Sequence, residues 1–183
     1  MSILADTTVK QIPKGTWDID PAWSALEFEV RKIGIVPIHG RVPGFSGTIT
    51  GGGEPLIVGT ADAASVTTFD ETRDAHLKSP DFFDVQRHPE LHFESTEIVF
   101  DGEQVFVAGD LTIKGITRPV QLRGTYLGSG ADAYGNERIG LELEAVVDRT
   151  AYDLNWNAPL PGGGFLLPND VALKATIAGI RKD

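Results

Sequence analysis

The stretch QVFVAGDLTIKG, residues 104–115, decides which class of fold to expect. Small or apolar residues occupy every second position: Val105, Val107, Gly109, Leu111 and Ile113. The intervening positions turn polar toward the end of the stretch, at Asp110, Thr112 and Lys114. Such alternation predicts a strand with one dry face and one wet face. Antiparallel sheets show this pattern, whereas parallel sheets are buried on both faces.

The same period of two recurs at 137–149 (ERIGLELEAVVDR) and at 170–180 (DVALKATIAGI). Further strands are predicted at 24–32, 45–50, 57–68, 91–100 and 119–127. Turn-forming sequences separate the strands at 51–55, 101–103, 114–119 and 132–137. About eight strands at steady spacing predict an all-β fold with short helices, either an antiparallel sandwich or a closed barrel.

One stretch, DETRDAHLKSPDFFD at 70–84, interrupts the strand pattern. Asp70 or Thr72 is placed to cap a short helix that runs through Leu77. Ser79 as a further N-cap, followed by Pro80, predicts another helical turn. The chain is therefore expected to make a short helical crossover around residues 72–84.

The charges in this crossover admit two interpretations. An enzyme would use Arg73, Asp74 and His76 for acid–base chemistry, and we keep this as an alternative. In a purely structural role, the same charged residues would cap the helix and form ion pairs. Apolar residues such as Leu77 would anchor the segment to the barrel. No serine lies in a nucleophile-elbow sequence, so no catalytic residue is predicted.

Metal binding is not expected. His88 and His92 have the spacing of a zincin motif, but Pro89 follows the first histidine and 91–100 is predicted as a strand. Positions four apart on a strand are separated by ~13 Å. Asp74 and His76 make only two ligands, and zinc needs three or four. We predict neither a metal nor any other cofactor, apart from a bound lipid.

Composition narrows the function further. A chain of 183 residues with 41% apolar content suits one domain, and its net charge of −10 argues against nucleic-acid binding. No run approaches the ~20 apolar residues of a membrane span, so no stable membrane insertion is expected. The first residues lack a signal-peptide pattern, which predicts a cytoplasmic protein.

The sequence resembles the YceI-like family, bacterial proteins with an extended-lipocalin fold that bind polyisoprenoids. The most specific match is TTFDETRDAHLKSPDFFDVQRHPELHFEST at 67–96. Three other stretches are similar to the family as well: WDIDPAWSALEFEV at 17–30, FSGTIT at 45–50 and VAGDLTIKGITRPVQL at 107–122. The resemblance implies an eight-stranded antiparallel lipocalin-like β-barrel over residues 16–183, preceded by an N-terminal arm at 1–15.

The resemblance also implies a function: to bind and carry or sequester a long apolar lipid, such as a quinone or prenyl phosphate, inside the barrel. Strand parity and family likeness together give the candidate tunnel residues: Phe28, Val30, Phe45, Ile49, Phe69, Leu77, Phe82, Phe83, Phe93, Leu111, Ile113, Leu122, Tyr126, Leu141, Leu143, Leu173 and Ile177. Arg73 and His76 are the candidates to meet a polar head group. A protein-interaction module, with a homodimer as one form, is the remaining alternative.

Overall fold

A computed structural model describes residues 10–182, and within them ten strands and one α-helix form a single barrel. The elements, in chain order, are β1 (Gly15–Ile19), β2 (Ala25–Lys32), β3 (Val36–Arg41), β4 (Phe45–Gly51), β5 (Leu56–Asp62), α1 (Glu71–Lys78), β6 (Glu90–Asp101), β7 (Gln104–Ile113), β8 (Ile116–Ala131), β9 (Glu137–Asp148) and β10 (Asp170–Arg181). Every pairing between neighbouring strands is antiparallel.

The sheet closes because β10 pairs with two strands from the start of the chain. Its second half pairs with β1 through Trp17 and Arg181, and its first half pairs with β2 through Leu26 and Ala175. β1 and β2 therefore share one strand position of the barrel, with a break between them, and β3 and β4 share the next in the same way. Together with β5 to β10 this gives eight strand positions, which confirms the predicted eight-stranded antiparallel barrel.

Inward and outward faces follow the predicted parity. On β7, Val105 and Val107 are buried, whereas Phe106 between them is partly exposed on the outer face. On β9, Leu141 and Leu143 are buried and Glu142 is exposed. The alternation in the sequence thus reports which side chains enter the barrel.

The predicted turn at 114–119 is shorter than expected. Ile113 pairs directly with Ile116, so that only Lys114 and Gly115 form the turn, with φ of 52° and 74°. Positive φ at both positions belongs to the tight hairpin turn whose twist matches the flanking strands. Pro119 lies within β8, at a position that pairs with β7 but precedes the part of β8 that pairs with β9. A residue without an N–H group is tolerated there.

One other predicted boundary is wrong. The strand predicted at 57–68 ends at Asp62, whose carboxylate accepts a hydrogen bond from Ala64 N–H and starts a short 3₁₀ helix. The turn predicted to begin at Ser79 is present as a hydrogen-bonded turn and does not extend into a helix. The Ser79 hydroxyl accepts from Asp81 N–H at 3.3 Å, and its carbonyl accepts from Phe82 N–H at 3.0 Å. Ser79 also ends α1, because its hydroxyl donates to the His76 carbonyl.

The two ends of the barrel are built differently. At the end where β1 meets β4, a core of large buried side chains fills the interior, and its most enclosed members are Trp17, Ile49, Val105, Val107 and Leu141. At the opposite end, α1 and the loop at 153–169 lie across the opening. We call these the filled end and the lidded end.

Part of the predicted N-terminal arm, residues 1–9, lies outside the described residues. The chain after it already contacts the barrel, because Ile12 is buried in the core of the filled end and β1 begins at Gly15.

Asp132 closes the turn between β8 and β9. Its side chain is 3% exposed and accepts hydrogen bonds from Arg138 Nε at 2.9 Å and from the backbone and side chain of Asn136. Burial alone raises the pKa of a carboxyl, but the hydrogen bonds from Arg138 and Asn136 outweigh it and hold the pKa of Asp132 well below its usual range. Arg138 also pairs with Asp20 at 2.6 Å and stacks over Trp23.

Asp132→Asn should therefore reduce stability in a pH-dependent way. A depressed pKa in the folded state contributes stability above the unfolded pKa of ~3.9, and this contribution is lost as pH falls toward the folded pKa. In urea unfolding, the variant should lie clearly below wild type at neutral pH and approach it at acid pH. Asp101→Asn, at the exposed end of β6, is the matched control. An equal deficit at both pH values would contradict the account.

Candidate functional site

The lidded half of the barrel contains a large cavity of about 900 Å³. Its walls are mainly the inward side chains of β2 and of β5 to β10, with Ile38 of β3 and Phe45 of β4, and its cover comes from α1 and the 153–169 loop. The filled-end core lies beyond it, since Trp17, Val105 and Val107 do not line it. This volume lies near the top of the ~300–1,000 Å³ range of small-molecule sites, which are mostly apolar.

Neighbouring strands place their apolar residues side by side on the cavity wall. Leu143 on β9 pairs with Ala175 on β10, and Ala145 pairs with Leu173. All four line the cavity. Because the alanine side chains are short, open volume remains above them, beside the two leucines.

Phe28 reaches the cavity because Gly40 lies opposite it on β3. A Cβ atom at position 40 would come within 2.1 Å of the Phe28 ring. The glycine therefore accommodates the ring, and any side chain at position 40 would push the ring away from its position.

Three rings cover the cavity at the lidded end. His76 of α1 contacts Trp156 of the loop with ring centroids 4.7 Å apart, and Phe82 with centroids 5.0 Å apart, both edge-on. Phe82 and Trp156 also touch, at 5.6 Å. These contacts join the crossover and the loop, two segments far apart in sequence, into one lid.

Asp74 ties α1 to the preceding segment. Its carboxylate accepts hydrogen bonds from Thr68 N–H at 2.7 Å, from the Thr68 hydroxyl at 2.6 Å and from the Thr67 hydroxyl at 3.0 Å. Burial opposes ionisation, but the Thr68 and Thr67 hydrogen bonds outweigh it and lower the pKa of Asp74. Asp74 is not among the cavity-lining residues, so it serves as an anchor for the helix.

Arg73 and His76 do line the cavity, and each has a different partner. Arg73 donates from Nε to the Thr68 hydroxyl at 2.6 Å and from Nη2 to the Thr68 carbonyl. His76 Nε2 lies 2.8 Å from an oxygen of Asp81. Because Asp74 faces the threonines and His76 faces Asp81, the three residues of the enzymatic alternative do not form one hydrogen-bonded chain.

Arg149 is a cavity residue that the sequence analysis missed. It is buried and donates to three backbone carbonyls, those of Pro168, Leu154 and Trp156. Desolvation by burial lowers its pKa. These bonds fix the start and end of the 153–169 loop over the cavity. No local signal in the sequence marks it, because its partners are backbone carbonyls of the loop that follows, which any residue type can supply.

Among residues 10–182, no three His, Asp or Glu side chains are grouped so as to hold a metal ion. His92 lies on the lidded side of β6, with Nδ1 3.2 Å from the Thr60 hydroxyl. His88 packs against the Gly115 turn instead.

The structure places most of the predicted tunnel residues at the cavity. Thirteen of them line it: Phe28, Val30, Phe45, Leu77, Phe82, Phe83, Phe93, Leu111, Ile113, Leu122, Leu143, Leu173 and Ile177. Ile49, Tyr126 and Leu141 face inward too, but they belong to the core of the filled end. Phe69 is 73% exposed outside the cavity, because its φ of 62° turns the chain outward just before α1.

A closed eight-stranded antiparallel barrel with a large apolar cavity in its interior belongs to the lipocalin-like class of barrels. Comparison with known proteins is more specific. The chain belongs to the YceI-like family, whose domain model matches residues 17–178.

Relatives that match in sequence agree with this assignment. A UPF0312 protein of Photorhabdus laumondii is 33% identical over 147 residues, which cover 78% of this chain and 76% of the relative. Protein YceI of Escherichia coli O157:H7 is 32% identical over 126 residues, 67% of this chain and 66% of the relative.

Two solved structures share the fold. Burkholderia cenocepacia BcnA has a TM-score of 0.75 at 22% identity and covers 87% of this chain and 98% of its own. A domain from Saccharophagus degradans, described as polyisoprenoid binding and implicated in plant cell wall breakdown, has a TM-score of 0.68 at 17% identity. That match covers 91% of this chain and 98% of the domain.

Proposed function

We propose that this protein binds one long-chain isoprenoid lipid in the barrel cavity and carries or sequesters it. The observation that carries the proposal is the apolar cavity of about 900 Å³ beneath α1 and the 153–169 loop. Each buried CH₂ group contributes ~0.8 kcal/mol, so a few isoprene units give tight binding without a charged contact. Membership of the YceI-like family and the polyisoprenoid-binding structural neighbour support the same ligand class.

The two ends of the barrel suggest the direction of insertion. The filled end is a core of packed, mostly apolar side chains, whereas the nitrogen-bearing side chains of Arg73, His76 and Arg149 lie where the lid meets the cavity. A hydrocarbon tail therefore points toward Ile177, and a quinone or phosphate head group lies near Arg73 and His76. Both of these residues carry ring or guanidinium nitrogens that can meet an oxygen acceptor.

Trp156 offers a direct test, because it lines the cavity, whereas Trp17 is sealed in the filled-end core and Trp23 does not line the cavity. Titration with a short-chain ubiquinone should quench Trp156 fluorescence saturably, with one ligand per chain. Geranylgeranyl phosphate should reverse the quenching by competition, and Trp156→Phe should remove most of the signal. Quenching that never saturates and does not respond to the competitor would contradict the proposal.

A further inference from the structure

Two loops meet beside the lidded end of the barrel. The turn between β2 and β3 brings Ile33 against the 153–169 loop, where Ile33 N–H donates to the Leu166 carbonyl at 2.9 Å. The loop itself doubles back at Pro161–Gly164, held by a hydrogen bond from Leu160 N–H to the Gly164 carbonyl. The two tips therefore form one continuous edge of the molecule.

This edge is apolar and exposed. Ile33 is 47% exposed, Ile35 68%, Val36 49% and Phe165 64%. Single exposed apolar residues are ordinary on protein surfaces. These four apolar residues lie on two touching loops and at the start of β3, and together they make a patch. Exposed apolar patches mark sites of contact with a partner or a membrane. We call these four residues the apolar tip.

Charge sets the apolar tip apart from the rest of the chain. The protein has 26 acidic residues in 183, about one in seven, yet 30–41 contains none and 154–168 contains no charged residue at all. The first of these stretches carries Arg31 and Lys32 next to the tip. Arg31 also pairs with Glu29 at 3.3 Å, and Arg41, at the far end of β3, pairs with Glu27. A surface bearing phosphates repels this acidic chain as a whole, whereas the tip presents to it apolar side chains flanked by Arg31 and Lys32.

The apolar tip is continuous with the cavity. Lys32, next to Ile33, and Leu166, next to Phe165, both line the cavity wall. A lipid that enters beside these residues passes from the tip into the barrel without crossing bulk water. Basic residues flanking apolar ones are also the arrangement by which peripheral segments lie in a bilayer interface.

We propose that the apolar tip docks on the surface of a phospholipid bilayer, and that lipid enters and leaves the cavity there. This inference rests on the proposed function, since it gives the cavity its route to a lipid source. Ile35 and Phe165 enter the head-group boundary while Arg31 and Lys32 stay at the level of the phosphates. Contact is reversible, because four side chains bury little area and the net charge of −10 opposes lasting attachment.

The test uses vesicles of phosphatidylethanolamine and phosphatidylglycerol. Wild type should co-sediment with them, and the double variant Ile33→Ser, Phe165→Ser should partition about tenfold less, because binding scales with the apolar area that enters the interface. Leu127→Ser with Val146→Ser is the matched control: both residues are exposed apolar positions away from the tip, and this variant should bind within about twofold of wild type. Tryptophan at position 35, as Ile35→Trp, should be quenched by brominated lipids.

Several outcomes would overturn the proposal: no sedimentation of wild type, equal binding by the tip variant, or an equal loss in the control. A dimer that the tip variant converts to a monomer in light scattering would assign the face to self-association and also overturn it. Titration with short-chain ubiquinone, run without vesicles, separates this inference from the proposed function. The tip variant should keep full cavity binding, so failure of docking leaves the cavity assignment intact.

Discussion

Ala145→Trp should weaken binding of an isoprenoid ligand strongly while the barrel still folds. Ala145 lines the cavity between Leu143 and Val147 on β9, and an indole there projects into open volume. Displacing one five-carbon isoprene unit removes ~4 kcal/mol at ~0.8 kcal/mol per CH₂. Because the ligand can shift in the remaining space, we expect a loss of at least about thirtyfold in affinity.

Val146→Trp is the control for this experiment. Val146 is the next residue on the same strand, is 67% exposed and faces away from the cavity. The same side chain added there should leave affinity unchanged in the ubiquinone titration. If Ala145→Trp binds as tightly as wild type while melting normally, the ligand does not occupy this cavity.

Asp74→Ala should produce the largest loss of stability among the charged residues of the crossover. The change leaves Thr68 N–H and two threonine hydroxyls without their acceptor, and an unpaired buried donor costs ~1–3 kcal/mol. Together these effects predict a loss of ~3 kcal/mol in the free energy of unfolding. For a chain of this size, each kcal/mol lowers Tm by ~2–4 °C, so the shift should be about 6–12 °C.

Asp81→Ala provides the comparison, because Asp81 is an exposed carboxylate paired with His76. Exposed pairs contribute ~0–1 kcal/mol, so its Tm should stay close to that of wild type. If the two variants unfold at the same temperature, the buried threonine network is not what anchors α1. Unchanged stability in Asp74→Ala would favour the enzymatic alternative for this residue.

The sequence predicts well which residues of a strand face the interior, but not whether such a residue lies in the filled core or at the cavity. Alternation along β9 correctly placed Leu141 and Leu143 inside the barrel. Only the three-dimensional arrangement shows that Leu141 lies in the filled core while Leu143 reaches the cavity. Period two distinguishes inside from outside, and it contains no information about which end of a barrel is packed.

Local backbone geometry accounts for other differences. Phe69 follows a predicted strand, yet its left-handed conformation removes it from the inner face. Arg149, between Asp148 and Thr150, has the sequence context of a surface residue, but the carbonyls of Leu154, Trp156 and Pro168 make its burial possible. Both cases depend on contacts formed by the folded loop, which no short stretch of sequence specifies.

The most direct measurement of the central claim is the native mass of protein purified without detergent or organic solvent. We predict a species heavier than the bare chain by one isoprenoid lipid, which extraction then releases and identifies. Ala145→Trp should lack this added mass, and Val146→Trp should keep it. A bare chain mass in all three proteins, with no uptake of added ubiquinone or geranylgeranyl phosphate, would contradict the account.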